Sequence, residues 1–174
     1  ICPKGDYAAN SEKAVAIHTK EEKEGTLLKL KEIHTPGMKT IKQVSEYLGI
    51  PTSKTLKVVF YVVDKEIVLV ILRGDLEVNE VKLLNALNGS ELRMASAEEL
   101  KAAGIVNGFA SPVGLKDIKR IADNSVKSGY NFVTGANKPD HHLTNINYPR
   151  DFQVDTITDI VLVTDDQYCI NCRT

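Results

Sequence analysis

Two apolar, β-branched runs, set apart by a short charged pair, constrain the fold more than any other feature of this chain. The first covers residues 56–63 and the second covers residues 67–72, with Asp64-Lys65 between them. A run this apolar is typical of a strand buried on both faces, and so short a connection favours a hairpin. The sequence therefore predicts a buried central hairpin.

Three helices are predicted, each opened by a capping signal or an apolar repeat and closed by a glycine. The clearest begins at Thr40, which has Gln43 three residues on as its capping partner, and stops at Gly49. The predicted helices cover residues 41–48, residues 78–87, and a segment from the capping box at 96–99 to Gly104.

Strands outnumber helices, and their order along the chain is irregular. The predicted strands cover residues 56–63, 67–72, 92–95, 118–122, 131–134, 142–147 and 157–163. Such an order is not a repeating βαβ pattern. We therefore predict an α+β fold with a mixed, largely antiparallel sheet, curled toward a barrel and flanked by helices.

Composition restricts the setting in which this fold works. The chain has 174 residues, 43% hydrophobic and 26% charged, which predicts one globular domain over residues 1–174. With 22 basic against 23 acidic residues, it has no general positive field to hold a nucleic acid backbone. No apolar run is long enough for a bilayer and no signal peptide is recognisable, so we expect a cytoplasmic protein without a membrane partner.

The two ends of the chain share unusual chemistry. All three cysteines, Cys2, Cys169 and Cys172, lie there, and the first residue is Ile1 rather than methionine. We expect a piece of a longer protein whose ends lie side by side, with residues 1–20 and 164–174 as junction segments. The cysteines fit reduced thiols, a metal site completed from outside this chain, or a redox pair.

The candidate site lies between residues 104 and 151. A G-x-x-x-P loop there comprises Gly108, Phe109, Ala110, Ser111 and Pro112. Glycine in such a loop lets the backbone approach a ligand and present its N–H groups. A plain turn is the alternative interpretation of so short a motif.

Titratable residues accompany this loop. Asp123 follows a predicted strand, and strand alternation sends His141 and His142 to opposite faces, with His142 facing inward together with Ile146. Zinc would need further ligands at suitable spacing, and a serine triad would need a G-x-S-x-G motif, so neither site is predicted. No metal is expected.

Lys54 stands where the first buried strand begins. It belongs to the segment Thr52-Ser53-Lys54-Thr55, between the first predicted helix and that strand. A lysine at such a boundary is either a solvated surface charge or a point charge held for a phosphate. Both interpretations remain open from the residues alone.

Six short motifs follow one another along nearly the whole chain. They are DYAAN at 6–10, SKTL at 53–56, RGD at 73–75, GFASPVGL at 108–115, NFVTGAN at 131–137, and the segment from His142 to Asp151. In this order they resemble the editing insertion domain of bacterial prolyl-tRNA synthetases, and more widely the aminoacyl-tRNA deacylases that share its fold.

The resemblance implies hydrolysis of the ester in mischarged tRNA(Pro), with alanine as the expected wrong amino acid. It implies that Lys54 holds a phosphate of the 3′-terminal adenosine, that residues 108–112 bind the ester carbonyl or the attacking water, and that His142 shapes the pocket. Asp123, Gly135 and Asn137 are implied as further substrate-binding residues.

The resemblance also implies the partners. These are the tRNA 3′ end and a host synthetase that is a homodimer and uses ATP and Mg, whereas editing itself needs no cofactor. A deacylase of cysteinyl-tRNA(Pro) and a non-catalytic, RNA-positioning insertion are the alternatives.

Overall fold

The structure is a computed structural model that describes residues 9–10, 14–17, 25–164 and 168–169. The strands of this part of the chain are β1 Ala16–Ile17, β2 Lys31–His34, β3 Leu56–Val63, β4 Glu66–Arg73, β5 Leu92–Met94, β6 Lys119–Asp123, β7 Phe132–Gly135, β8 His141–Ile146, β9 Thr156–Thr158 and β10 Tyr168–Cys169. The helices are α1 Ile41–Leu48, α2 Glu80–Leu87, α3 Ala97–Ala102 and α4 Ser125–Ser128, with a short 3-10 helix at Thr52–Lys54.

The predicted hairpin is the centre of the fold. β3 and β4 pair antiparallel along their whole lengths, from Leu56 with Arg73 to Val63 with Glu66. The connecting residues Asp64 and Lys65 have φ angles of 48° and 80°. Positive φ at both central residues matches the right-handed twist of the flanking strands, and this explains why two residues suffice to connect them.

The hairpin lies in a five-stranded sheet of order β5-β3-β4-β6-β9. β3 pairs antiparallel with β5, whereas β4 pairs parallel with β6 and β6 with β9. A second sheet has the order β2-β8-β7, and a parallel bridge between Thr55 and Val133 joins the two. The predicted α+β architecture with a mixed, largely antiparallel sheet is therefore confirmed, but these strands form two sheets rather than one curled sheet, and β1 and β10 form a separate two-stranded sheet.

The core has one cluster on each face of the hairpin. Leu56 and Phe60 of β3 belong to the cluster that the second sheet covers, which also contains Phe132 and Ile146. Tyr61 of β3 belongs to the other cluster, which α2 covers. Successive residues of a strand point to opposite faces of the sheet. A continuous apolar run therefore places apolar side chains in both core clusters.

The helix caps follow the prediction. Thr40 Oγ1 accepts from the N–H of Gln43, whose side chain accepts from the N–H of Thr40, and Gly49 closes α1 with a φ of 65°. Ser96 forms the same reciprocal cap at α3. α2 begins two residues later than predicted because Asn79 Oδ1 accepts from two N–H groups of its first turn.

One predicted strand is shorter in the structure than expected, and the elements β2 and α4 were not predicted. The strand predicted at residues 157–163 is only Thr156–Thr158, because the N–H of Ile160 turns to Asp123 Oδ2. β2 was not predicted, since its mainly exposed residues show no alternation and its register comes from pairing with β8. The four-residue α4 also escaped prediction.

The two ends of the described chain meet. β1 and β10 pair antiparallel, with Ala16 opposite Cys169 and Ile17 opposite Tyr168. The expectation that the end segments lie side by side is met for these residues, whereas Cys2 and Cys172 lie outside the described residues. No helix within the described ranges has the length and apolarity to cross a bilayer.

Candidate functional site

A cavity of about 350 Å³ opens beside the central hairpin. Four of the predicted site residues line it, namely Gly108, Ala110, Gly135 and His142. Its volume falls in the range of small-molecule sites. The lining that was not predicted is mostly apolar and includes Ile41, Val44, Leu56, Val58, Phe60, Met94, Leu100 and Val133.

The cavity exists because β5 is short. β5 pairs only with Tyr61, Val62 and Val63, at the end of β3. The preceding part of β3, residues 56–60, therefore lacks a strand along most of that edge and forms a wall of the cavity. α1 and the G-x-x-x-P loop enclose the space that a longer β5 would have filled.

The backbone N–H groups of the G-x-x-x-P loop differ in whether the described residues offer them an acceptor. The N–H of Phe109 donates to Val106 O at 3.1 Å, and the N–H of Ser111 donates to Asn137 Oδ1 at 2.8 Å. Within the described part of the chain, the N–H groups of Gly108 and Ala110 have no acceptor. Both residues line the cavity, so the loop can offer these two donors to a ligand.

Asn137 and Gly135 hold the loop from behind. Asn137 donates from its backbone to Phe109 O at 2.8 Å and from Nδ2 to Val113 O at 2.7 Å. A Cβ at Gly135 would collide with the carbonyl groups of Phe109 and Ala110. Both polar atoms of the Asn137 side chain bind the loop, so the structure gives Asn137 a supporting role, and its expected substrate contact stays a prediction.

The other loop residues also support rather than line the cavity. Ser111 is fully buried, and its Oγ accepts from the N–H of Val113 at 3.2 Å. Pro112 is buried and has no N–H to donate. Phe109 is buried with its ring edge against His142, at 5.8 Å between ring centroids.

His142 is the inward-facing member of the histidine pair, as the alternation predicted. It is 4% exposed, and its Nδ1 lies 2.6 Å from Thr35 Oγ1. Burial lowers the pKa of His142 below its ordinary value, which favours the neutral imidazole at neutral pH. His141 faces away and lies against His34, with 5.0 Å between the ring centroids.

Lys54 lies next to the cavity but outside its lining. It ends the 3-10 helix Thr52–Lys54, and its Nζ lies 4.2 Å from the centroid of the Tyr130 ring. Gly74 packs so closely on this turn that a Cβ there would overlap Thr55 Oγ1. The glycine of the Arg-Gly-Asp turn is therefore required by its contact with this segment.

Two lysines that were not predicted do line the cavity, Lys39 and Lys57. Lys57 Nζ donates to Leu76 O at 2.7 Å and to Glu77 Oε1 at 2.5 Å. The signal for Lys57 was a charged residue inside an otherwise apolar strand. Lys39 showed no comparable signal, because it lies in a polar turn before a helix.

Asp123 is not part of the cavity. It is fully buried, and its carboxylate accepts from the N–H of Ser125 at 2.7 Å and from the N–H of Ile160 at 3.1 Å. These bonds tie the end of β6 to the segment after β9. The substrate contact expected of Asp123 stays a prediction, and the structure shows both carboxylate oxygens bonded to backbone N–H groups outside the cavity lining.

In the ranges that the structure describes, no group of three or more His, Cys, Asp or Glu side chains could hold an ion. The polar residues of the cavity lining are His142, Lys39, Lys57, Thr40, Thr55, Asn107 and Thr134, beside the backbone of the loop.

Comparison with known proteins agrees with this geometry. The family model described as aminoacyl-tRNA editing domain matches residues 35–152. A proline–tRNA ligase of Dehalococcoides mccartyi is 50% identical over 171 residues, which cover 98% of this chain and 30% of that protein. The proline–tRNA ligase of Thermotoga maritima is 44% identical over 175 residues, covering 99% of this chain and 30% of that protein.

A solved structure shows the same fold. It is described as a candidate trans-editing enzyme for prolyl tRNA synthetase and superposes with a TM-score of 0.66 at 19% identity. The match covers 78% of this chain and 87% of the other. The chain thus spans about 30% of the length of the curated relatives it matches.

Proposed function

This chain belongs to the aminoacyl-tRNA editing domain family, and on that premise we propose that it hydrolyses the ester of mischarged tRNA(Pro), with alanyl-tRNA(Pro) as its substrate. It would do so within a proline–tRNA ligase, since the matched relative from Dehalococcoides mccartyi is such a ligase and the matching region makes up 30% of that protein. The tRNA 3′ end and the rest of that ligase are its proposed partners. The proposed setting is the cytoplasm, with the host a homodimer.

The need for such a reaction follows from binding energetics. A site built for proline cannot strongly reject a smaller amino acid, because each missing methylene costs only about 1–3 kcal/mol of binding. A second site that hydrolyses the smaller ester supplies the missing discrimination. Cysteine is close to alanine in size, so cysteinyl-tRNA(Pro) is the alternative substrate.

The observation that carries the proposal is the pair of N–H groups at Gly108 and Ala110, cavity-lining residues whose N–H groups have no acceptor among the described residues. As water attacks the ester carbonyl carbon, negative charge develops on the carbonyl oxygen. Two fixed donors stabilise that charge, and one donor of this kind contributes roughly 3 kcal/mol to catalysis. The bond from carbon to the ribose oxygen then breaks, and the released ribose oxygen takes up the proton lost by the attacking water, which gives the free amino acid and the ribose hydroxyl.

His142 acts as a wall rather than as a base in this proposal. Its imidazole is buried, bonded to Thr35 and flanked by the Phe109 ring. A neutral ring held on two sides limits the volume left for the amino acid side chain. The α-amino group of the substrate is the group that its free face can contact.

Lys54 is proposed to hold a phosphate of the 3′-terminal adenosine. Its place at the side of the cavity suits a group that stays outside while the aminoacyl ester enters. The Tyr130 ring restrains Nζ through a cation–π contact. The reaction as written uses no cofactor, whereas ATP and Mg serve the ligase reaction of the proposed host.

The proposal is tested by single-turnover deacylation of labelled alanyl-tRNA(Pro) with the complete ligase. Lys54→Ala should slow hydrolysis by weakening substrate binding. Lys101→Ala, an exposed lysine on α3, is the matched control and should leave the rate unchanged. Equal rates in the two variants would remove Lys54 from the mechanism. A non-catalytic insertion predicts that the unchanged enzyme leaves the ester intact.

A further inference from the structure

Lys39 is the cation of the cavity that remains available for an anion. Of the two lysines in the lining, Lys57 has its Nζ bonded to Leu76 O and Glu77 Oε1. Lys39 is exposed, and among the described residues its ammonium has no carboxylate within ion-pair distance. An ammonium group at the cavity without such a partner among the described residues can bind a phosphate.

The backbone of Lys39 is fixed although its side chain is exposed. Its N–H donates to Gln43 Oε1 at 3.1 Å, in the capping box of α1. The preceding residue, Met38, donates from its N–H to Thr35 O at 3.2 Å, and Thr35 binds His142. One short turn therefore sets the positions of both Lys39 and the His142 wall.

The stem of Lys39 runs along the G-x-x-x-P loop. The position that a Cβ on Gly108 would occupy is 3.7 Å from Lys39 Cβ and 3.8 Å from Cγ and Cδ. An ester carbonyl bonded to the N–H of Gly108 would thus lie beside this stem. Lysine carries its charge on a flexible four-carbon stem, so its ammonium can reach the phosphate of the same nucleotide or of the one before it.

From these contacts we propose that Lys39 is a substrate-positioning residue that binds a backbone phosphate at the tRNA 3′ end, at the mouth of the cavity. The inference rests on the proposed function, because it takes an aminoacylated 3′ end as the ligand. It adds a second cation to Lys54. With no net positive charge on the chain, two placed lysines are a means of holding a single-stranded end locally.

The test separates this role from hydrolysis itself. The probe is a minihelix whose 3′-terminal adenosine carries alanine through a non-hydrolysable amide, and its affinity for the complete ligase is measured by fluorescence anisotropy at several salt concentrations. Lys39→Ala should weaken binding roughly fivefold, as expected for one lost phosphate contact. It should also reduce the slope of log affinity against log salt by about 0.7, the value for one contact on a single strand.

Lys42→Ala is the matched control, since Lys42 is exposed on α1 and paired with Glu46 at 3.9 Å outside the cavity. It should leave the affinity and the salt slope unchanged. In deacylation, Lys39→Ala should raise KM with kcat unaltered, and Lys39→Arg should restore most of the affinity. Equal affinity and slope for Lys39→Ala and Lys42→Ala would overturn the assignment. If the probe binds as predicted but no ester is cleaved, only the proposed function fails.

Discussion

Thr35 Oγ1 lies 2.6 Å from Nδ1 of His142, and both side chains are buried. This hydrogen bond joins the turn before α1 to β8 and fixes the orientation of the imidazole that forms a wall of the cavity. We expect Thr35→Val to leave a buried ring nitrogen without its partner, at a cost of roughly 1–3 kcal/mol in the free energy of unfolding. Thr35→Ser keeps the hydroxyl and should retain most of the stability.

The same pair should affect specificity. With the imidazole released, Thr35→Val should lose discrimination between alanyl and prolyl esters, as measured by the ratio of their kcat/KM values. Identical ratios for the valine and serine variants would show that the hydrogen bond does not shape the pocket.

The depressed pKa of His142 predicts a pH dependence of stability. Burial lowers this pKa from the ordinary 6.5, whereas the unfolded chain titrates at the ordinary value. Below pH 6.5 the unfolded state therefore binds more protons, so the free energy of unfolding should fall as the pH drops below 6.5. Denaturant titrations at a series of pH values below 6.5 give the free energy of unfolding at each pH. This free energy should depend less steeply on pH in His142→Gln than in the unchanged protein. Parallel curves for the two proteins would contradict the expectation.

Gly135 should be intolerant of any side chain. In Gly135→Ala the new Cβ meets the carbonyl groups of Phe109 and Ala110, so the loop must move and its two free N–H groups move with it. We expect hydrolysis to fall roughly 100-fold, about the effect of losing one oxyanion donor. Gly104→Ala provides the control. Gly104 has a φ of 71°, but no heavy atom of a non-neighbouring residue lies within 4 Å of the position that its Cβ would occupy. The substitution should cost only about 1 kcal/mol of stability and keep full activity.

Asp123 should matter for folding rather than for catalysis. Asp123→Asn retains one oxygen acceptor but presents an NH₂ group to a second backbone N–H, at a cost of roughly 1–3 kcal/mol. The melting temperature should fall while kcat per folded molecule stays constant. A large loss of kcat at an unchanged melting temperature would show that Asp123 takes part in the reaction.

Local signals explain the parts of the fold that were predicted. The hairpin, α1 and α3 each follow from neighbouring residues, such as the Thr40 and Gln43 pair, because their hydrogen bonds close within a few positions. β2 has no such signal, since it owes its register to β8, more than a hundred residues away. The division into two sheets likewise depends on long-range packing.

The candidate site shows the same limit. The G-x-x-x-P loop and the inward-facing His142 were predictable, since glycine content and strand alternation are local properties. Which loop N–H groups remain unpartnered was not predictable, because Asn137 takes the one at Ser111 from a distant position in the sequence. For the same reason the sequence did not reveal that the Asp123 carboxylate accepts from two backbone N–H groups.

Hydrolysis of alanyl-tRNA(Pro) and prolyl-tRNA(Pro) by the complete ligase, measured side by side in single turnovers, tests the central claim most directly. The claim is that the cavity between the G-x-x-x-P loop and His142 admits and hydrolyses the smaller ester. The account predicts rapid loss of alanine and retention of proline. The account would be contradicted if the ligase hydrolysed neither ester faster than the spontaneous reaction, or if it hydrolysed both esters at the same rate.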